Sequence, residues 1–137
     1  MITKNQLKGH REIVRNIQRL ETALARLHER VEAAKRPEFH DVDVQQSPEK
    51  YDLSDDIAKI EDMESRIAAK RTKIKAFRGK VLKEISQMRD VEKTIIKLYY
   101  LDGYTWPEVS SKINFSEIYV YKLHGRILQR LQQKKRV

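Results

Sequence analysis

Apolar residues recur at helical spacing along the first quarter of the chain. Seven of them lie three or four residues apart and therefore share one side of a helix: Ile13, Ile17, Leu20, Leu24, Leu27, Val31 and Ala34. We predict a helix from about residue 4 to residue 35. An apolar stripe of this length is stable in water only when it packs against another apolar surface. The N-terminal helix is therefore expected to have a partner helix.

A second apolar stripe, with a seven-residue repeat, follows further along the chain. Its members are Ile60, Ile67, Ile74, Val81 and Met88, and they predict a helix over about residues 54–87. A glycine, Gly79, interrupts this helix and marks a candidate bend or break. The two long helices are expected to pack as an antiparallel hairpin within one chain, or to pair with a second copy of the chain as a homodimer. The pattern is compatible with both arrangements.

Shorter elements follow Met88, where the seven-residue repeat stops. Val91, Ile95 and Leu98 share one face, which predicts a helix of about three turns. The turn pair Asp102-Gly103 ends this helix. Thr105 then precedes Glu108 by three residues, which is the capping-box pattern. A short helix is therefore predicted from Trp106 to about Ile113. Within it, Trp106 is interpreted as a core residue that positions the unit.

The residues after this short helix predict a tight turn and a longer helix. Asn114 is suited to a left-handed conformation in the turn, and Ser116 is suited to cap a last helix from Glu117 to about Gln133. The turn residue Phe115 and the inner face of this helix are expected to pack on the short helix. A short helix, a tight turn and a longer helix are the layout of a helix-turn-helix. The inner face comprises Val120, Leu123, Ile127 and Leu131.

Charge divides the chain and indicates the kind of partner. The 29 Lys and Arg against 20 Asp and Glu give a formal net charge of +9, which favours an anionic partner such as nucleic acid. Residues 37–64 hold two basic and ten acidic residues, and two of the three prolines fall in this block. The predicted fold is all-α, with a long N-terminal helical hairpin or coiled-coil arm followed by a three-helix domain. Its parts are a helix over 1–36, an acidic connector over 37–53, a long helix over 54–87 and a helix-turn-helix domain over 88–137.

Residues that carry catalysis or bind metals are not clustered in the sequence. The four histidines, His10, His28, His40 and His124, have no second ligand at metal-binding spacing. Four aspartates lie in or beside the connector, which no other feature makes rigid: Asp41, Asp43, Asp55 and Asp56. No Gly-rich phosphate loop or activated nucleophile is present in the sequence. We therefore expect no enzyme activity, no metal and no cofactor.

Cysteine content and hydropathy indicate the cellular compartment of the protein. It has no cysteine, so disulfides cannot stabilise it. The N-terminus lacks the apolar core of a signal peptide, and no stretch approaches the roughly 20 apolar residues of a membrane span. We expect a cytoplasmic protein with no membrane partner.

The segment LDGYTWPEVSSKINFSEIYVYKLHGRIL, residues 101–128, resembles region 4 of the sigma factors of bacterial RNA polymerase. It shares the Leu-x-Gly-x-Thr lead-in, a helix with an acidic residue before its apolar core, and a last helix of alternating leucines and basic residues. With its helical N-terminal arm, the whole chain resembles the ArpU/RinA-type transcriptional regulators of phages and prophages of Gram-positive bacteria. The resemblance implies a late-gene activator that binds double-stranded DNA.

The resemblance also implies which residues contact DNA. The chain departs from sigma factors at Glu117 and Ile118, where basic or polar residues are common, and at Asn114, which replaces the turn glycine. These departures suggest a different target sequence. The basic C-terminal tail is expected to contact phosphates, with a merely solvated tail as the alternative. The groove-facing set is Ser116, Glu117, Ile118, Tyr119, Tyr121, Lys122 and Gly125, with Arg126, Arg130, Lys134, Lys135 and Arg136 near phosphates.

Several of these assignments have a structural alternative. Tyr119 and Tyr121 either face the DNA groove or are surface tyrosines that lie against a neighbouring helix. Gly125 either lets the backbone approach DNA closely or relieves a contact between helices. The basic run over residues 66–83 is either a solvated helix face or a second surface for nucleic acid or protein. The leading hypothesis is a sequence-specific DNA-binding transcriptional regulator. The alternatives are a sigma-like adaptor that binds bacterial RNA polymerase and a DNA-packaging or scaffold protein of a phage.

Overall fold

A computed structural model describes residues 2–35 and 53–135. Over these residues the chain forms helices and turns and no strand, which confirms the predicted all-α class. The predicted acidic connector lies outside the described residues, except for Leu53. The helices are α1 (Lys4–Ala34), α2 (Leu53–Glu84), α3 (Asp90–Ile96), which continues as a π-helical turn (Lys97–Leu101), α4 (Trp106–Ile113) and α5 (Glu117–Lys135).

The chain divides into two compact units, which we call the hairpin unit (Ile17–Arg71) and the C-terminal unit (Met1–Asn16 with Thr72–Val137). In the hairpin unit, α1 and α2 run antiparallel within one chain, because Glu21 accepts a hydrogen bond from Arg71 at 2.5 Å while His28 lies 3.6 Å from Glu64. The buried hydrophobic residues of this unit fall on the two predicted stripes: Ile17, Val31, Ala34, Ile60 and Ile67.

The C-terminal unit has its own hydrophobic core, to which every helix contributes. The first turns of α1 supply Leu7, and the last turns of α2 supply Val81 and Ile85. Helix α2 continues through Gly79 without a break. The predicted inner face of the last helix is confirmed as buried. The remaining core residues are Ile2, Ile95, Ile96, Tyr100, Leu101, Val109, Val120, Leu123, Ile127 and Leu131.

The end of the π-helical turn is built as a tight cap. The amide of Asp102 donates to the Lys97 carbonyl at 2.8 Å, and the amide of Tyr104 donates to the Leu98 carbonyl at 3.0 Å. Gly103 has a φ of 81°, the left-handed conformation that this kind of helix end requires. The predicted turn at Asp102-Gly103 is therefore present. The π-helical geometry just before it was not predicted.

Four basic side chains bind the carbonyls at this helix end, and we call them the basic cap. His10 Nδ1–H donates to the Tyr100 carbonyl at 3.1 Å, and Arg11 donates to the Tyr104 carbonyl at 3.0 Å. The last carbonyls of a helix have no partner inside it and carry a partial negative charge, so cationic donors suit them. The other two contacts run from Arg15 to the Gly103 carbonyl at 2.9 Å and from Arg78 to the Leu101 carbonyl at 3.4 Å.

Local hydrogen bonds fix the turn between α4 and α5. Thr105 and Glu108 form the predicted capping box at the start of α4, and Asn114 closes α4 in the predicted left-handed conformation, with φ at 59°. Ser116 Oγ accepts from the Tyr119 amide at 3.2 Å and so caps α5 as predicted. Phe115 was expected to pack on the short helix, but it is not part of the hydrophobic core. The residue is 41% exposed, and its ring lies 5.1 Å from that of Tyr119.

We predict that replacing Arg11 by alanine destabilises the C-terminal unit. The change removes a charged donor from the Tyr104 carbonyl and a cation 4.1 Å above the Tyr99 ring, so the free energy of unfolding should fall by about 2 kcal/mol. Urea unfolding followed by Trp106 fluorescence measures this, because Trp106 stacks on Tyr99 at 3.7 Å. A matched control, Lys75→Ala, removes one exposed charge from α2 and should change stability by less than about 0.5 kcal/mol. Equal stability of the two variants would contradict the role of the cap.

Candidate nucleic-acid interface

Helix α5 has a buried face and an opposite face that is exposed. Four exposed residues with spacings of four, three and four form a line along the helix, and we call this line the outer stripe: Ile118, Lys122, Gly125 and Gln129. At 100° per residue the stripe lies opposite the buried side chains of Val120 and Ile127. Helix α5 is thus held by one face, and its opposite face is exposed to solvent.

All nine predicted contact residues between Ser116 and Arg130 are exposed. They belong to the outer stripe, to its two flanks or to the turn before it. Ser116 uses its oxygen to cap α5, which leaves its hydroxyl proton free to donate. A side-chain carbon built at Gly125 would have no atom within 4 Å, so helix packing does not explain this glycine. Lys134 and Lys135 end α5, but their side chains and Arg136 lie outside the described residues.

Tyr121 is held in place by a stack of rings that begins at the basic cap. Arg11 lies over the Tyr99 ring, and Tyr99 stacks on Trp106 with ring centroids 3.7 Å apart. Trp106 in turn contacts the Tyr121 ring, with centroids 5.2 Å apart. Tyr121 nevertheless remains 51% exposed. One side of its ring is therefore packed and fixed in orientation, while the other is open to a partner.

His124 lies beside Trp106, with ring centroids 4.6 Å apart, and forms a partly buried polar contact. The Tyr100 hydroxyl and His124 Nε2 form a hydrogen bond of 2.5 Å. Burial lowers the pKa of His124 to about 4, with a smaller contribution from the positive charges of Lys4 and Lys8. Burial also raises the pKa of Tyr100 and lowers that of His10. These groups are therefore neutral at pH 7 and act as hydrogen-bonding parts of the core.

Arg130 has a structural partner that its predicted role did not include. It forms an ion pair with Glu92, whose side chain is 3% exposed. The Glu92 oxygens have no conventional hydrogen bond in the described part of the structure, so Arg130 supplies the compensating charge. Removing one member of a buried pair costs about 3–5 kcal/mol, because the other charge stays buried. A substitution at Arg130 would therefore lower stability whether or not the residue also contacts a phosphate.

Cationic and polar residues that the sequence analysis missed lie on both sides of α5. On one side, the start of α1 forms a groove with α5 that Lys4, Gly125 and Gln129 line. On the other side, a groove lined by Arg89, Arg126 and Gln129 separates α5 from the start of α3. Gln129 could have been found from its spacing, four residues after Gly125. The positions of Lys4 and Arg89 depend on tertiary packing and had no sequence signal.

The grouped side chains on and beside α5 are cations, amides and rings, which are the groups that proteins use to contact bases and phosphates. Among residues 2–35 and 53–135, no three His, Asp or Glu side chains are arranged to hold a metal ion. None of the described helices is both long enough and apolar enough to cross a bilayer.

We predict that acid weakens the fold partly through His124. The unfolded chain binds a proton at this residue below about pH 6.5, whereas the folded chain does so only near pH 4, so stability should fall as the pH drops through this window. A pKa shift of this size corresponds to ~3 kcal/mol in the free energy of unfolding for a fully buried group. His124 is only partly buried, so the expected loss of stability is about 1–2 kcal/mol. The pKa of His10 is also lowered, so its protonation at low pH should reduce stability as well.

Urea unfolding at several pH values between 7 and 4 measures this loss. His124→Gln keeps an acceptor for the Tyr100 hydroxyl but cannot take up a proton, so part of the loss should disappear. His28→Gln replaces an exposed histidine of the hairpin unit and should leave the pH dependence of the C-terminal unit unchanged. The same pH dependence in wild type and His124→Gln would contradict the prediction.

Comparison with known proteins adds no relative to this picture. No protein family model, curated protein or solved structure matches the chain.

Proposed function

We propose that the protein is a sequence-specific DNA-binding transcriptional regulator that inserts α5 into the major groove. The observation that carries this proposal is the outer stripe, an exposed line of Ile118, Lys122, Gly125 and Gln129 opposite the buried face of α5. A helix buried on one face and exposed on the other, preceded by a short helix and a tight turn, suits entry into the groove. The net charge of +9 supports a polyanionic partner.

Each part of the exposed surface has a role that suits DNA. Lys122 can donate to guanine O6 and N7, and Gln129 can pair with the N6 and N7 edge of adenine. Gly125 lets the helix backbone approach the base edges closely. In this proposal, Lys4 on one side of α5 and Arg89 and Arg126 on the other contact phosphates of the strands that border the groove.

The regulatory part of the proposal depends on the resemblance to sigma factor region 4 and to ArpU/RinA-type regulators. In this proposal the protein activates late genes of a phage or prophage, and the hairpin unit of α1 and α2 is available for contacts with bacterial RNA polymerase or a second copy. A second candidate is a sigma-like adaptor that binds the polymerase with α5. One observation favours it: Ile118 is 70% exposed, which also suits a protein partner.

We predict that purified protein selects particular sites from fragmented genomic DNA. It should bind the enriched site at least roughly a thousandfold more tightly than shuffled DNA at the same salt concentration. Lys122→Ala should reduce binding to the enriched site about tenfold and binding to shuffled DNA much less, because a base contact is worth ~1–3 kcal/mol. Fluorescence titration at two salt concentrations measures both affinities.

A matched control separates base contacts from phosphate contacts. Arg126→Gln removes an exposed cation on the flank of α5. It should weaken binding to the enriched site and binding to shuffled DNA by similar factors. Arg130 is unsuitable for this purpose because of its pair with Glu92. Equal binding to all DNA would contradict sequence-specific recognition, and polymerase binding without DNA binding would favour the adaptor.

A further inference from the structure

An exposed apolar patch covers the start of α5 and the turn before it. We call it the apolar tip, and it consists of Phe115, Ile118, Tyr119 and Tyr121, which are 41%, 70%, 43% and 51% exposed. Ile118 is the most exposed large apolar side chain of the described residues. Exposed apolar patches of this kind commonly mark a binding surface.

Folding of the C-terminal unit does not account for Ile118. Ile118 lies nine residues before Ile127, which is about two and a half helical turns, so the two side chains lie on opposite faces of α5. Ile127 is fully buried. Ile118 therefore points directly away from the core. Burial against a bound partner would recover the cost of its exposure to water.

The charges around the apolar tip select the partner. Lys122 follows Ile118 by one helical turn on the same stripe, and Arg126 and Arg89 line the adjacent groove. Glu117 is the one acidic residue of α5, and it lies at the first position. An apolar centre with a cationic border complements the DNA major groove, where phosphates border base edges and thymine presents an apolar methyl group.

We propose that Ile118 recognises the 5-methyl group of one or two thymines in the DNA target, with Phe115 and Tyr119 as the apolar wall beside it. The proposal rests on the proposed function, because it names the base that the apolar tip contacts within the bound site. The first turn of a recognition helix is the part that reaches the base edges, which is where Ile118 lies. The target site therefore contains thymine opposite the start of α5.

Deoxyuridine substitution tests the contact directly. Each thymine of the enriched site is replaced in turn by deoxyuridine, which removes one methyl group and keeps base pairing and the hydrogen-bonding edges. At one or two positions the affinity of the full-length protein should fall about fourfold, the value for burying one methyl-sized group. At the same positions Ile118→Ala should bind the thymine and the deoxyuridine duplex equally well.

Two further variants make the result specific to Ile118. Ile118→Val removes one methylene and should show a smaller difference between thymine and deoxyuridine than wild type does. Leu82→Ala removes an exposed apolar side chain from α2 and should leave the difference unchanged. Trp106 fluorescence during urea unfolding should show wild-type stability for Ile118→Ala, because the side chain is exposed.

The possible outcomes separate this proposal from the proposed function. A loss at defined thymines that disappears in Ile118→Ala supports the methyl contact. Site-specific binding that no deoxyuridine changes would overturn the methyl contact and leave DNA recognition intact. Absence of any site preference would overturn both. A lower molecular mass of free Ile118→Ala than of wild type by light scattering would show that a second copy covers the apolar tip, which also overturns the proposal.

Discussion

The C-terminal unit depends on the closure of one helix end by basic side chains from two other helices. The carbonyls of Tyr100, Leu101 and Tyr104 lie at the end of the π-helical turn or just after it, where the helix itself supplies no hydrogen-bond donors. His10 and Arg11 of α1 and Arg78 of α2 donate to them. Because those carbonyls lie just before α4, the basic cap fixes the point at which the last two helices leave the core. The orientation of α5 follows from that point.

Because of the basic cap, only part of the net positive charge is available to a ligand. Arg11 and Arg15 each contribute to the +9 in the sequence, yet their guanidinium groups bind backbone carbonyls, and Arg130 pairs with Glu92. These charges stabilise the fold and are partly engaged already. The cations left for a polyanion include Lys122 and Arg126 on α5 itself. Charge counted along a chain therefore overestimates the charge that a ligand meets.

Features of the fold that depend on neighbouring residues were predictable from the sequence, and features that depend on distant residues were not. The capping box at Thr105, the left-handed Asn114 and the cap at Ser116 follow from local chemistry, and the structure has all three. The buried face of α5 followed from its spacing. The basic cap and the partner of Arg130 depend on residues up to 93 positions apart, as in the contact between Arg11 and Tyr104, and no sequence pattern indicates such pairs. The π-helical turn had no sequence signal either. The exposure of Phe115 was missed because spacing alone does not show which side of a turn faces the core.

Amide chemical shifts of the full-length protein test whether the outer stripe of α5 is the surface that contacts DNA. Upon addition of the enriched DNA fragment, we expect the largest shifts at Ile118, Lys122, Gly125 and Gln129, with smaller shifts at the start of α1. The competing surface is the basic run on α2, with Lys80 in its last turns. Large shifts on α2 with none on α5 would contradict the account, because the DNA would then bind the protein without using the helix that the fold presents.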